Sequence, residues 1–387
     1  MKFSLRIASF SAPIIALAIS FGLSSLILLF IGKDPIETFQ IMFEYGIKGK
    51  SIVSIINRSI PLYISAIAVA VGFKMGLFNI GVEGQYLVGS IVAAFVGSQF
   101  SIITPLHILF IILIAVACSA MWAAIAGYLK VKKGIHEVIS TIMLNYIGTG
   151  LISYSLTNVF DEKGSEYELP RTPELPETGQ MPALNNLFRL EDLQDLHGFL
   201  FVAIIVGIFY YWLVWKTTLG FDLRITGSNP VAAKFSGINP NRLIVVAMVT
   251  SGGFAGLVGL GPLLGYFHRF TIDFPTGLGF AGIAVALLGR NHPFGMGVGA
   301  LLFAFLERSS QILDLNDVPK EIERMLQAFI LLIVVVFYEV IRRFIVKQQI
   351  KDASKKVETW HKIFLGQYLE DILLSLIHIS EPTRPLH

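Results

Sequence analysis

Long apolar segments recur along almost the whole chain and constrain its fold more than any other feature. A helix that crosses a bilayer needs about 20 mostly apolar residues. Ten segments meet or approach that length, and the third and eighth of them are the weakest. They cover residues 9–31, 52–72, 84–104, 106–129, 138–159, 198–215, 242–266, 276–289, 294–309 and 324–341. The sequence therefore predicts an all-α, polytopic membrane protein with about ten transmembrane helices.

The amino-acid composition excludes most soluble classes of protein. Hydrophobic residues make up 54% of the 387 residues and charged residues only 15%, whereas soluble chains carry roughly 25% charge. A net charge of +3 is too small to indicate a nucleic-acid partner. The single cysteine, Cys118, excludes a disulfide framework. We therefore expect membrane lipid, and no nucleic acid, around this chain.

Basic residues in the short loops predict the orientation, because cytoplasmic loops carry an excess of Lys and Arg. Such residues precede the first segment and follow the fourth, sixth and tenth segments, which all lie on one side if there are ten spans. Both termini are therefore predicted to be cytoplasmic, in a multi-pass protein of the cell (inner) membrane. The acidic, proline-rich residues 160–197 are predicted to form an external loop, and residues 216–242 a cytoplasmic loop.

The end of the chain differs from the rest. Residues 1–345 form the predicted transmembrane domain, and residues 346–373 form a predicted cytoplasmic tail. Residues 374–387 resemble translated sequencing-adapter read-through, so we expect them to be an artefact.

Enzyme signatures are incomplete along the chain. Gly49-Lys50-Ser51 looks like the end of a phosphate-binding loop, but Glu44 stands where the leading glycine is required. We therefore expect no ATPase site, no catalytic residues, no metal site and no cofactor in this chain.

The 216–242 loop predicts a short helix with a signal at each end. Asn229 is a favourable N-cap residue and Pro230 suits the first helical position. Gly237 is suited to the position just past the end of the helix. About seven residues, or two turns, lie between these signals.

A helix of this length is not stable alone in water and needs a partner surface. Ala232 and Ala233 keep the predicted helix slim, while Val231 and Phe235 form an apolar ridge. One interpretation is a helix that ties two spans of the same chain together. The other is a docking helix whose slim face inserts into a cytoplasmic partner.

Residues 72–86 combine several glycines with polar side chains inside an apolar stretch. The polar side chains include Asn79, Glu83 and Gln85. Polar, glycine-broken backbone at membrane depth is tolerated where it is buried in protein or lines a cavity, and an ionisable residue there indicates function. We therefore predict that Asn79 and Glu83 lie beside a translocation pathway. The alternative is a cytoplasmic turn with a solvated Glu83.

Glycines also recur at four-residue spacing in the second half of the chain. Such steps let helices approach closely, so we expect most of them to serve packing. Residues 268–279 break the seventh segment from the eighth. Broken helices of this kind recur in transporters. The glycines are Gly252, Gly256, Gly261, Gly265, Gly295 and Gly299.

Three stretches resemble the permease family of ABC importers for simple sugars, nucleosides and branched-chain amino acids, over roughly residues 55–345. The first two are Gly76-Leu-Phe-Asn-Ile-Gly-Val-Glu-Gly-Gln85 and Glu137-Val-Ile-Ser-Thr-Ile-Met-Leu-Asn-Tyr146. The third is the loop that holds Gly220, Arg224, Gly227, Asn229, Ala232, Ala233, Gly237 and Ile238. The second stretch and the long external loop are most similar to the nucleoside branch.

The resemblance implies a permease subunit without an ATPase site of its own, because a separate cytoplasmic ABC ATPase binds ATP. It also implies a second homologous permease and an external substrate-binding protein as partners. The 216–242 loop corresponds to the coupling helix of that family, which favours the docking interpretation. The expected substrate is a nucleoside, with a simple sugar as the alternative.

An ion-coupled secondary transporter is a weaker alternative. Such proteins keep carboxylates inside their spans, and we expect almost none here apart from Glu83 and Glu339. The predicted pathway residues are Asn79, Glu83, Gln85 and Asn145. The predicted ATPase-coupling residues are Gly220, Arg224, Gly227, Asn229, Pro230, Ala232, Ala233 and Gly237.

Overall fold

A computed structural model describes residues 2–161, 169–185, 194–319 and 321–333, together with a few single positions up to residue 357. The 374–387 segment and most of the predicted 346–373 tail lie outside the described residues. Residues 162–168 and 186–193 of the predicted external loop also lie outside them.

The all-α prediction is confirmed. Within the described ranges the only β contacts are two isolated bridges, which pair Arg171 with Thr271 and Ala183 with His197. The helices are α1 (Lys2–Phe30), α2 (Pro35–Gly46), α3 (Gly49–Lys74), α4 (Val82–Ser98), α5 (Thr104–Lys133), α6 (Glu137–Asn158), α7 (Phe199–Lys216), α8 (Thr218–Ser228), α9 (Pro230–Phe235), α10 (Pro240–Ala255), α11 (Leu278–Leu288) and α12 (Pro293–Ser309). A short helical turn Leu260–Pro262 and a π-helical turn Leu263–Phe267 follow α10, and residues 322–333 are also helical.

Each of the ten predicted segments overlaps helix among its described residues, but the helices differ in length. Among the described residues, α3, α5, α7 and the stretch Pro240–Phe267 are long and apolar enough to cross a membrane. A fifth span results if the end of α1 and α2, which bend by 117° relative to each other, count as one. Helices α4 and α11 have 17 and 11 residues, or about 26 and 16 Å, which is shorter than a hydrocarbon core of about 30 Å. The cytoplasmic position of the termini stays a prediction.

Helix α2 has no counterpart among the predicted segments. The Asp34 carboxylate accepts hydrogen bonds from the N–H groups of Ile36 and Glu37, and Pro35 occupies the first turn. These are ordinary helix-start signals, but the segment is too short and too polar to be recognised as a span.

The chain divides into two compact units. Residues 20–331 form the larger unit, and residues 1–19 with 332–387 form the other. In the smaller unit, described residues 2–19 are helical.

Helix α3 is central to the larger unit. It packs against α7, α10, α11 and α12, and its residues 64–72 are almost all buried. Its apolar surface is thus covered by protein along most of its length.

Close glycine packing joins α5 to α10, as the spacing of Gly252 and Gly256 predicts. A side chain at Gly252 would overlap Cβ of Ala123, and one at Gly256 would lie 2.5 Å from the Ala115 carbonyl oxygen. The absence of a side chain at both positions therefore sets the distance between the two helices.

Replacing Gly252 with Ala should lower the midpoint of thermal unfolding, because overpacking of a tight contact costs about 1–3 kcal/mol. Gly150→Ala is the matched control, since nothing lies within 4 Å of a side chain at that helical glycine. Alanine there should be neutral or stabilising by about 0.5–1 kcal/mol. Intrinsic tryptophan fluorescence of the purified proteins measures both midpoints, and equal midpoints would contradict the packing described here.

Candidate transport pathway and coupling surface

Helix α11 begins beside the central part of α3. The Ser65 hydroxyl donates a hydrogen bond to the Leu278 carbonyl oxygen at 2.8 Å. Ser65 lies about nine residues before the end of α3, or about 14 Å along that helix. The first N–H groups of α11 have no partner within the helix, so they need acceptors in an apolar environment.

The Glu83 carboxylate supplies these acceptors. Its Oε1 accepts from the Gly277 N–H at 2.6 Å, and its Oε2 accepts from the Gly279 N–H at 2.8 Å. The Tyr86 hydroxyl lies 3.0 Å from Oε1. A negative charge is favourable at a helix N-terminus. Glu83 is only 8% exposed, so it is a buried cap of α11 rather than a side chain on a solvated turn.

The turn before α4 is held by amide side chains. Asn79 donates through Nδ2 to Ser251 Oγ at 2.8 Å and to Gln85 Oε1 at 3.1 Å. Its Oδ1 accepts from the Gly81 N–H at 2.9 Å. Asn79, Gln85 and Ser251 are all buried, so these bonds attach the turn to α10.

Asn145 on α6 completes the same arrangement. Its Oδ1 accepts from the Gly84 N–H at 2.9 Å, and its Nδ2 donates to the Ile80 carbonyl oxygen at 3.0 Å. The structure thus brings all four predicted pathway residues together in one polar cluster: Asn79, Glu83, Gln85 and Asn145. Their role in transport stays a prediction.

The predicted short helix in the 216–242 loop is present as α9. Asn229 Oδ1 accepts from the N–H groups of Val231 at 3.1 Å and Ala232 at 3.0 Å. Pro230 is the first helical residue, and Gly237 has a left-handed φ of +82°. The prediction of both helix ends from the capping pattern is therefore confirmed.

The two faces of α9 differ sharply. Val231 is 64% exposed and Phe235 is 89% exposed, and Ala232 is exposed as well. Ala233 is fully buried within the chain. The expectation that Ala233 belongs to a slim face entering a partner is therefore wrong, because this alanine already packs against its own chain.

Gly220, Arg224 and Gly227 lie on α8 and face the chain itself. A side chain at Gly220 would overlap the Leu213 carbonyl oxygen, and one at Gly227 would overlap the Lys74 carbonyl oxygen. Arg224 donates through Nε to the Gly220 carbonyl oxygen at 3.3 Å. The two glycines hold α8 tightly against α7 and against the end of α3, whereas the Arg224 bond lies within α8.

A polar cavity of about 300 Å³ lies at the other end of α3. Arg58 on α3 and Glu307 on α12 form an ion pair at its wall. Burial lowers the pKa of the His197 imidazole, and the nearby Asp195 offsets part of this effect. The lining residues are Ser54, Asn57, Arg58, Pro61, Gln194, His197, Pro262, Tyr266, Phe267, Pro275, Leu278, Glu307 and Arg308.

Sequence reasoning missed this cavity. Arg58 and Glu307 lie inside the predicted spans 52–72 and 294–309, so Glu307 is one further carboxylate besides the Glu83 and Glu339 named from the sequence. Opposite charges in two predicted spans are the signal that could have found them, because buried ions usually pair.

Comparison with known proteins identifies the class. The family described as "Branched-chain amino acid transport system / permease component" matches residues 51–335. The chain therefore belongs to this family of transport permeases, and it is a multi-pass membrane protein.

Three relatives cover most of their own length and of this chain. The guanosine ABC transporter permease protein NupP of Bacillus subtilis is 33% identical, over 87% of this chain and 95% of its own. The nucleoside ABC transporter permease protein NupB of Lactococcus lactis is 32% identical, over 84% of this chain and 90% of its own. The glucose ABC transporter permease protein TsgB13 of Haloferax volcanii is 27% identical, over 84% of this chain and 87% of its own.

Replacing Glu83 with Ala should lower the unfolding midpoint of the purified protein. The change leaves the buried Gly279 N–H and the partly buried Gly277 N–H without acceptors, and a buried unsatisfied group costs about 1–3 kcal/mol. Glu83→Gln keeps one oxygen acceptor and should lower the midpoint less. The control is Glu44→Ala, which removes an exposed carboxylate that bonds only to Gln40 among the described hydrogen bonds. A midpoint for Glu83→Ala equal to that of the control would show that Glu83 does not cap α11.

Proposed function

We propose that this chain is the membrane-spanning permease subunit of an ATP-driven ABC importer for nucleosides. The observation that carries the proposal is the match, over more than four-fifths of the chain, to two permeases named for guanosine and nucleosides. The match to a glucose permease makes a simple sugar the second candidate.

The proposed partners follow from family membership and from the exposed face of α9. A cytoplasmic ABC ATPase binds ATP and docks on Val231 and Phe235, so the permease needs no cofactor and no ATPase site of its own. Asn229, Pro230 and Gly237 shape α9 for this contact, while Ala233, Gly220 and Gly227 fix it to the rest of the chain. A substrate-binding protein delivers the nucleoside from outside.

A second homologous permease completes the proposed complex. Two guanosine permeases of Bacillus subtilis, NupP and NupQ, both match this chain, at 33% and 25% identity. Two nucleoside permeases of Lactococcus lactis, NupB and NupC, match it at 32% and 26%. Such pairs support a transporter built from two related permeases.

The proposed pathway borders the polar cluster. The amide and carboxylate groups of this cluster hold together the first residues of α4 and α11. Both helices are shorter than the hydrocarbon core of a membrane. Broken helices of this kind border substrate sites in many transporters. The 160–197 segment faces the outside in this proposal, and the 216–242 loop faces the cytoplasm.

Uptake by the complete complex tests the proposed substrate. Proteoliposomes that contain both permeases, the ATPase and the binding protein should accumulate tritiated guanosine only when ATP is supplied to the ATPase. Unlabelled nucleosides should compete, and glucose should not. Competition by glucose without competition by nucleosides would favour the sugar alternative.

The double variant Val231→Ser with Phe235→Ser should lose co-purification of the ATPase. Both side chains are exposed, so the unfolding midpoint should stay unchanged while the apolar contact is lost. Lys234→Ser is the matched control, because Lys234 is exposed on the same helix but lies outside the apolar ridge. Normal ATPase binding by the double variant would place the docking surface elsewhere.

A further inference from the structure

We propose that the polar cavity is a nucleoside-binding site on the transport pathway, in which the Tyr266 ring stacks on the base and the Arg58–Glu307 pair hydrogen-bonds to its polar edge. This inference rests on the proposed function and adds the place where the permease itself holds the substrate.

The cavity lies at the end of the larger unit that is remote from α9. The residues of α3 that line the cavity, such as Asn57, belong to the first half of that helix. Gly227 of the 216–242 loop packs instead against Lys74, in the last turn of α3. Residues 169–185 lie over the same end, where the Leu175 N–H donates to the His268 carbonyl oxygen at 2.8 Å. With the proposed orientation, the cavity is therefore on the external side.

Its size and chemistry suit a small polar ligand. Ligand pockets have volumes of about 300–1,000 Å³, and a few polar groups among apolar walls fix the ligand. A larger cavity of about 710 Å³ is lined almost entirely by apolar side chains such as Ile60, Leu200 and Phe294. That surface offers little to a nucleoside, whereas the polar cavity combines aromatic, charged and amide groups.

Tyr266 provides a face for stacking. Its side chain is 64% exposed, and its ring lies edge-on to Phe267, with ring centroids 4.9 Å apart and an interplanar angle of 87°. The neighbouring ring restricts where the tyrosine ring can lie. Bases stack on aromatic side chains because every base presents a π-face, and a sugar without a base has no such face.

The ion pair still has hydrogen-bonding capacity. Arg58 contacts Glu307 through Nη1 and Oε1, and the side chains keep 35% and 39% exposure. A guanidinium has five N–H donors and a carboxylate has two oxygen acceptors, so donors and an acceptor remain beyond the pair. A purine edge offers carbonyl and ring-nitrogen acceptors together with N–H donors, which complements this set.

Asn57 and His197 form the rim. The Asn57 side chain donates to the Asp195 carbonyl oxygen at 2.7 Å and accepts from the His197 N–H at 3.0 Å. Its amide is therefore committed to holding residues 195–197 at the cavity, and it acts as a positioning residue.

The floor of the cavity is connected to the polar cluster. Pro275 and Leu278 line it, and Leu278 is the first residue of α11, whose N–H groups Glu83 caps. The Tyr86 hydroxyl also lies 2.8 Å from the Pro275 carbonyl oxygen. A ligand on this floor would contact the same helix start that the polar cluster holds in place.

Direct binding tests the site apart from transport. The complex of both permeases and the ATPase, purified without the binding protein, is titrated with tritiated guanosine by equilibrium dialysis. We expect saturable binding that unlabelled guanosine displaces and ribose does not. Tyr266→Leu should weaken binding at least ten-fold, while Tyr266→Phe, which keeps the ring, should bind like the wild type.

Two further variants keep the test decisive. Arg58→Gln combined with Glu307→Gln removes both charges without leaving either one unpaired, and it should also weaken binding at least ten-fold. Tyr154→Leu, at another exposed tyrosine outside the cavity, should bind like the wild type. Equal unfolding midpoints show that each variant is folded.

The outcomes separate this inference from the proposed function. ATP-driven guanosine uptake by the full system, with guanosine binding unaffected by Tyr266→Leu and by the double variant, would overturn the site and leave the proposed function standing. Absence of saturable binding to the wild-type complex would overturn the site in the same way. Uptake of glucose and no nucleoside would overturn both.

Discussion

The hydrogen bonds from Gly277 and Gly279 to the Glu83 carboxylate are the interaction on which the rest of the larger unit depends. A helix of 11 residues needs acceptors for its first N–H groups, and the Gly279 N–H is buried where water cannot satisfy it. The carboxylate meets this need, and the Asn79 and Asn145 amides in turn fix the turn that presents it. The first role of the polar cluster is therefore structural, because α11 needs it to cap its N-terminus.

A continuous series of contacts runs from the polar cavity to the 216–242 loop. Leu278 on the cavity floor starts α11, Glu83 joins α11 to α4, and the turn before α4 begins at Gly76. Gly76 lies against Gly227, where a side chain on Gly227 would overlap the Lys74 carbonyl oxygen. Energetic coupling between distant sites uses packed contacts and hydrogen-bond networks of this kind. The series gives the proposed docking of an ATPase a physical connection to the proposed substrate site.

Local signals in the sequence predicted local structure well. Asn229, Pro230 and Gly237 determined α9 because capping depends on residues within one turn. Long-range contacts were beyond such reasoning: Glu83 and its partner Gly277 are 194 residues apart, and Arg58 and Glu307 are 249 apart. Nor could the sequence distinguish Ala232 from Ala233, since which of two adjacent alanines is buried depends on how α9 packs on the chain. Hydrophobicity located the helices, and the two segments that it supported least, the third and the eighth, contain the short helices α4 and α11.

The exposure of Phe235 has a consequence for assembly. A ring that is 89% exposed at the end of a capped helix is an apolar surface that the proposed ATPase would cover. A cell that made this subunit in excess over the proposed ATPase would accumulate chains that can associate through that ring. Balanced synthesis of the subunits is therefore a matter of solubility as well as of activity.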